Sequence, residues 1–116
     1  MITGAHMVIT SKKPEADHAF LRDVLKLPHV NEGGYLIFAL PPAEVSVHEG
    51  KKDSVHEMFL LCDDVKTFVA GMKKRRIACS PVKDQGWGLL TQMTLPGGGK
   101  LGVYQPRHAS PPPYKP

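Results

Sequence analysis

Leu40-Pro41 followed by Val45-Ser46-Val47-His48, and Leu95-Pro96 followed by Leu101-Gly102-Val103-Tyr104, decide how this chain folds. In each, a proline-marked break leads into a short strand in which a small residue, Ser46 or Gly102, sits between β-branched or aliphatic neighbours. The two stretches hold matching places in units that recur with a period of roughly fifty residues, so the chain reads as one unit used twice.

Working outward from the first stretch, Ala5 to Thr10 is an apolar strand, and Pro14 suits the first turn of a helix, where its missing N–H is not needed. Ala16, Ala19, Phe20, Val24 and Leu27 recur at three- and four-residue steps, which gives that helix one sheet-facing side, and Pro28 ends it. Asn31 to Gly34 is a turn signal, Tyr35 to Leu40 an apolar strand, and Ala43 to His48 an alternating strand that stops at Gly50. Around the second stretch the order begins again. Glu57 to Cys62 is a strand, Asp63 or Asp64 is an N-cap, and Val65, Phe68, Val69 and Met72 share one helical face. Ile77 to Lys83 and Leu89 to Leu95 are predicted strands on either side of the Gln85-Gly86-Trp87-Gly88 turn, and Lys100 to Gln105 follows a turn at Pro96 to Gly99.

The expected fold class is therefore α+β, with two βαβββ modules at about residues 4–50 and 55–106 inside one domain of residues 1–108. Residues 109–116, Ala-Ser-Pro-Pro-Pro-Tyr-Lys-Pro, cannot pair regularly in a sheet and are expected to be a flexible tail.

Composition narrows the functions. The chain has 116 residues, 41% of them hydrophobic, enough for one core and no second domain. The net charge of +4 permits anionic partners. The densest basic run, Lys73 to Arg76, however, closes a predicted helix, where cations offset the negative end of the helix dipole. No aromatic stacking platform accompanies it, so no nucleic-acid partner is expected. Cys62 and Cys79 lack metal-site or disulfide-framework spacing, which fits a cytoplasmic setting. No apolar run approaches the roughly 20 residues that span a bilayer, so no membrane partner is expected.

His6-Met7-Val8-Ile9-Thr10 with Phe20 to Leu25, Trp87-Gly88 before the penultimate strand, and Leu101-Gly102-Val103-Tyr104-Gln105-Pro106 as the last strand resemble the vicinal oxygen chelate superfamily. Its members include glyoxalase I, bleomycin-resistance proteins and extradiol dioxygenases. The resemblance runs from about Gly4 to Pro106. It implies that the curled mixed sheets of the two modules form a cup, with the helices packed on the outer faces. It also implies inward-facing metal ligands on the first and last strands of each module, which here places His6, Ser46, Glu57 and Gly102 at those positions.

Only two of those four can bind a metal, because Ser46 and Gly102 supply neither imidazole nor carboxylate. The resemblance therefore implies a site without a resident metal. If a divalent metal is held, the set is His6, Glu57 and His48, the last lying two residues beyond Ser46 on the same strand face. A one-residue register change would exchange Glu57 for His56. The expected function is binding of a small hydrophobic or aromatic molecule, as in bleomycin-resistance proteins, at His6, Ser46, His48, Glu57, Trp87, Gly102, Tyr104 and Tyr35. Tyr35, Phe38, Trp87 and Tyr104 are candidate walls, with core packing the favoured role for Phe38, and Gly102 is expected to leave space above the sheet. The alternative is a metal-dependent lyase, isomerase or dioxygenase using His6, Glu57 and His48. Exposed strand edges point to a homodimer.

Overall fold

The computed structural model describes residues 1–24, 26–40, 42–53, 55–94 and 99–114. Leu25 within the first helical motif, Pro41 of the expected break, Leu95 at the end of the expected Leu89 to Leu95 strand, and residues 96–98 of the expected Pro96 to Gly99 turn lie outside the described residues. The strands are β1 (Ile2–Ser11), β2 (His29–Glu32), β3 (Tyr35–Leu40), β4 (Ala43–Glu49), β5 (Val55–Cys62), β6 (Lys83–Asp84), β7 (Gly88–Thr94) and β8 (Lys100–Pro106). The helices are α1 (Pro14–Ala19), continued by a π-helical turn at Phe20–Val24, and α2 (Val65–Lys74). The order β-α-β-β-β thus occurs twice, and the α+β class with duplicated modules is the fold found. The chain divides into two compact units, one of residues 5–58 with the tail, the other of residues 1–4 and 59–108.

In the first unit the strands run β2-β3-β4-β1. Pairing is antiparallel except between β4 and β1, which are parallel with His6 opposite Glu44 and Val8 opposite Ser46. The continuous apolar run of β3 reflects burial on both faces, and Phe38 at its centre is fully buried with Leu27 and Val45. The helical face differs from the expected one. Phe20 and Val24 are 50% and 63% exposed, while Leu21 packs on the core in their place. The helix already presents a different side before the π turn, with Ala16 exposed and Asp17 and His18 partly buried, and Phe20 and Val24 are the two ends of that turn. β2 carries the polar sequence His-Val-Asn-Glu and pairs only with β3, as an edge strand can without an apolar face. The tail carries no helix or strand through residue 114, yet Tyr114 packs against the Leu27, Phe38 and Val45 cluster and the Ala109 N–H donates to Glu32.

In the second unit the strands run β5-β8-β7-β6, with β5 and β8 parallel. α2 begins where the Asp64 side chain accepts from the N–H groups of Lys66 and Thr67 at 3.1 and 3.2 Å. A second cap comes from β8, where Gln105 Oε1 accepts the Val65 N–H at 3.1 Å. Val65 seals the helix onto Cys62 and Val103, with Phe68, Val69, Leu89 and Met93 around them. The strand expected at Ile77 to Lys83 is not formed as one element. The segment makes a single bridge, Cys79 to Met93, and pairs as β6 only at Lys83–Asp84. Pro81 lies between the two and has no N–H to give to a ladder. Among the described residues no helix is long and apolar enough to cross a membrane.

Candidate functional site

The alternation of β4 creates the site. Its Val45 turns toward the helix-covered core, so period two turns Glu44, Ser46 and His48 the other way. β1 runs parallel beside it and brings His6 directly opposite Glu44. His6 Nδ1 lies 2.8 Å from Glu44 Oε1, and His6 Nε2 lies 2.8 Å from Ser46 Oγ. Ser46 Oγ is in turn 3.2 Å from His48 Nε2. The four side chains form a continuous hydrogen-bonded row.

Burial gives that row its significance. His6, Glu44 and Ser46 are only 5%, 4% and 1% exposed. Taking ionisable groups out of water costs several kcal/mol per ion, on the order of what a good pairing returns, so an apolar filling would be as stable or more so. Clusters of this kind concentrate at functional sites for that reason. Among the described residues no buried side-chain nitrogen or oxygen lacks a hydrogen-bond partner, so the cost is met inside the fold.

At its outer end the row meets His48, which is partly buried and packs beside the exposed Tyr35 ring at a centroid distance of 5.2 Å. Burial lowers the His48 pKa below its ordinary 6.5, the nearby histidines His6 and His18 push the same way, and Glu57 opposes them. The influence of Glu57 places this carboxylate, which is itself exposed, within electrostatic reach of the row. His56, the register alternative, instead lines an open cleft of about 530 Å3 with Lys12, Lys13, Asp17 and Asp53. None of the other expected site residues borders that cleft.

Among the described residues, the expected ligand triad of His6, Glu57 and His48 does not stand together within ligand distance. Both ring nitrogens of His6 are engaged, one by Glu44 and one by Ser46. A divalent ion needs an unprotonated ring nitrogen, so to reach His6 it would have to displace one of these partners.

The corresponding face of the second unit is aromatic. Phe59, Trp87 and Tyr104 stand edge to face, with centroids 4.8 to 6.2 Å apart. Trp87 is 41% exposed, whereas Tyr104 is buried and its hydroxyl hydrogen-bonds His108 Nε2 at 2.9 Å. Two glycines make the close packing feasible. A Cβ at Gly88 would stand 2.7 Å from the Tyr104 ring, and one at Gly102 would stand 2.5 Å from the Phe59 ring. The space expected above Gly102 is thus already filled by Phe59, its register partner on β5. Phe38 belongs to the core, the role favoured for it over that of a wall.

Two members of this arrangement escaped the sequence reading. Glu44 shares the alternation of Ser46 and His48, and the signal in the sequence was its place two residues before Ser46 on the same strand face. Phe59 had no signal of its own, because its role depends on the pairing of β5 with Gly102.

No protein-family model and no curated protein matches the sequence. Solved structures do match its fold. Methylmalonyl-CoA epimerase from Mycobacterium tuberculosis aligns with a TM-score of 0.66 and 13% identity, over 90% of this chain and 89% of that one. NAD-dependent benzaldehyde dehydrogenase from Legionella pneumophila aligns at 0.63 and 12%, over 89% and 99%. A glyoxalase/bleomycin resistance protein/dioxygenase superfamily member from Vibrio splendidus 12B01 aligns at 0.58 and 12%, over 90% and 99%. With its two βαβββ modules and these alignments across nine-tenths of its length, the chain has the fold of the glyoxalase, bleomycin-resistance and dioxygenase superfamily.

Proposed function

We propose that the protein binds a small organic molecule through the polar row of its first unit and needs no metal to do so. The observation that carries this reading is the buried chain Glu44–His6–Ser46–His48, costly to fold and ending at a partly exposed imidazole. Such an arrangement suits a ligand with a few polar groups to be oriented, while apolar surface such as Tyr35 contributes contact area. The fold neighbours support the class of site and not the ligand. The two unbridged thiols, Cys62 and Cys79, agree with a reducing cytoplasmic setting. A homodimer paired through strand edges goes with this reading, β2 and β6 being the edges of their respective units.

The test is a thermal-shift screen of metal-stripped protein against small hydroxy acids, keto acids, acyl thioesters and aromatic compounds. Binding to the native state raises the melting temperature. A compound that stabilises wild type and not His48→Ala supports the reading. A compound that stabilises both equally removes the polar row from the site.

A second reading, a metal-dependent lyase, isomerase or dioxygenase, is favoured by one observation. His6 and Glu44 are ligand-type groups already in contact. This reading predicts stoichiometric zinc, nickel, manganese or iron by elemental analysis of untreated protein, and loss of stabilisation by every compound after chelation.

A further inference from the structure

The direction of each hydrogen bond in the polar row follows from what each group can donate. A carboxylate oxygen accepts, so the 2.8 Å contact between His6 Nδ1 and Glu44 Oε1 assigns a proton to Nδ1. In a neutral imidazole the other nitrogen is then an acceptor, so Ser46 donates its one hydroxyl proton to His6 Nε2 at 2.8 Å. With that proton committed, Ser46 Oγ can only accept in its remaining contact, and His48 Nε2 at 3.2 Å has to donate. The tautomer of His48 follows, with the proton on Nε2 and the lone pair on Nδ1. Among the described residues the polar contact of the His48 ring runs through Nε2, and the Tyr35 ring covers its side.

We propose that His48 Nδ1 is the proton-accepting atom of this site, its lone pair fixed by the buried Glu44–His6–Ser46 chain. Glu44, His6 and Ser46 are then positioning residues. The ligand class follows, and it deepens the binding reading on which the inference rests: molecules that present an O–H, N–H or acidified C–H to that nitrogen. When such a ligand forms only a hydrogen bond, its proton stays on the donor atom. When the proton is transferred, the bond from donor atom to hydrogen breaks and the electron pair stays on the ligand. Nδ1 gains the proton, and the resulting imidazolium keeps its Nε2–H on Ser46. A return transfer to the same or a neighbouring atom of the ligand restores the tautomer without any other reactant.

The experiment needs no ligand. Two-bond 1H–15N correlation spectra of the 15N-labelled full chain, recorded at about pH 8, above the ordinary histidine value of ~6.5, report which ring nitrogen carries the proton. His48→Gln assigns the His48 signals. The expected spectrum shows His6 protonated on Nδ1 and His48 on Nε2, each as a single tautomer, and Ser46→Ala turns His48 into an exchanging mixture. A proton on His48 Nδ1, which would mean that the row runs the other way, overturns the inference. So does a His48 signal unchanged in Ser46→Ala. If Ser46→Ala does not fold, the wild-type spectrum decides alone. A failed ligand screen with the expected tautomers refutes the binding reading, whereas the opposite tautomers with successful binding refute only this assignment.

Discussion

Gly102→Ala is the substitution whose cost is best worked out from the structure. A methyl group at this position would sit 2.5 and 2.8 Å from Cδ1 and Cε1 of Phe59, well inside van der Waals contact, and 3.5 Å from Leu90 Cδ1. Phe59 cannot simply turn aside, because its ring meets Tyr104 and Trp87 edge to face at 5.6 and 6.2 Å. Overpacking of this kind costs about 1 to 3 kcal/mol, against a gain of roughly 0.5 to 1 kcal/mol from removing glycine's conformational freedom in a strand. The net expectation is a loss of about 1 kcal/mol, at most ~2.5 kcal/mol, seen as a lower urea midpoint with an unchanged slope. Phe59→Leu combined with Gly102→Ala relieves the contact, so the two changes are expected to couple by at least ~0.5 kcal/mol. A Gly102→Ala protein with a midpoint at or above wild type would refute the packing account of the second unit's aromatic face.

Glu44→Ala leaves His6 Nδ1 buried with a lost partner and is expected to cost about 1 to 3 kcal/mol in urea denaturation, with Glu44→Gln closer to wild type because an acceptor oxygen remains. Asp64→Ala removes the acceptor for two N–H groups at the start of α2 and is expected to cost about 1 kcal/mol by the same measurement. The lowered pKa of His48 makes stability depend on pH. The neutral ring's contribution is present above its unfolded value of 6.5 and is lost as pH falls through the lower folded value. Urea midpoints from pH 7.5 down to 5 are expected to fall more steeply for wild type than for His48→Gln, and parallel profiles would contradict the assignment.

The parts of the fold legible in the sequence are those where local chemistry and burial agree. β3 is the Tyr35–Leu40 run as read, because a strand buried on both faces is apolar throughout. α2 begins at the Asp64 cap because that carboxylate meets its own backbone two and three residues on. Where tertiary context decides, the reading fell short. β2 is polar and exists through its pairing with β3, and nothing in Phe20–Val24 announces a π turn. Ile77 to Lys83 has strand-like composition, but most of its contact with β7 is through isolated bonds such as Ser80 N–H to Gln92 O at 3.0 Å. In the site, His48 shares the strand face of Ser46 by period-two spacing, whereas the place of His6 and Ser46 in one group was implied by the family resemblance, and the parallel register of β1 and β4 realises it. Glu44 was read as part of a strand and not as a partner, since its significance comes from the register that puts it opposite His6. Gly102 shows the converse, a small residue that suggested a hollow and serves as the seat of Phe59.

The central claim is that ligand meets the protein at the row ending in His48, and the histidine ring signals test it directly. Titrating the labelled protein with the most stabilising compound of the screen is predicted to shift the ring resonances of His48 and His6 while His56, in the separate cleft beside Lys12, stays in place. Movement of His56 with His48 and His6 unchanged would contradict the account and move the binding site to the other face.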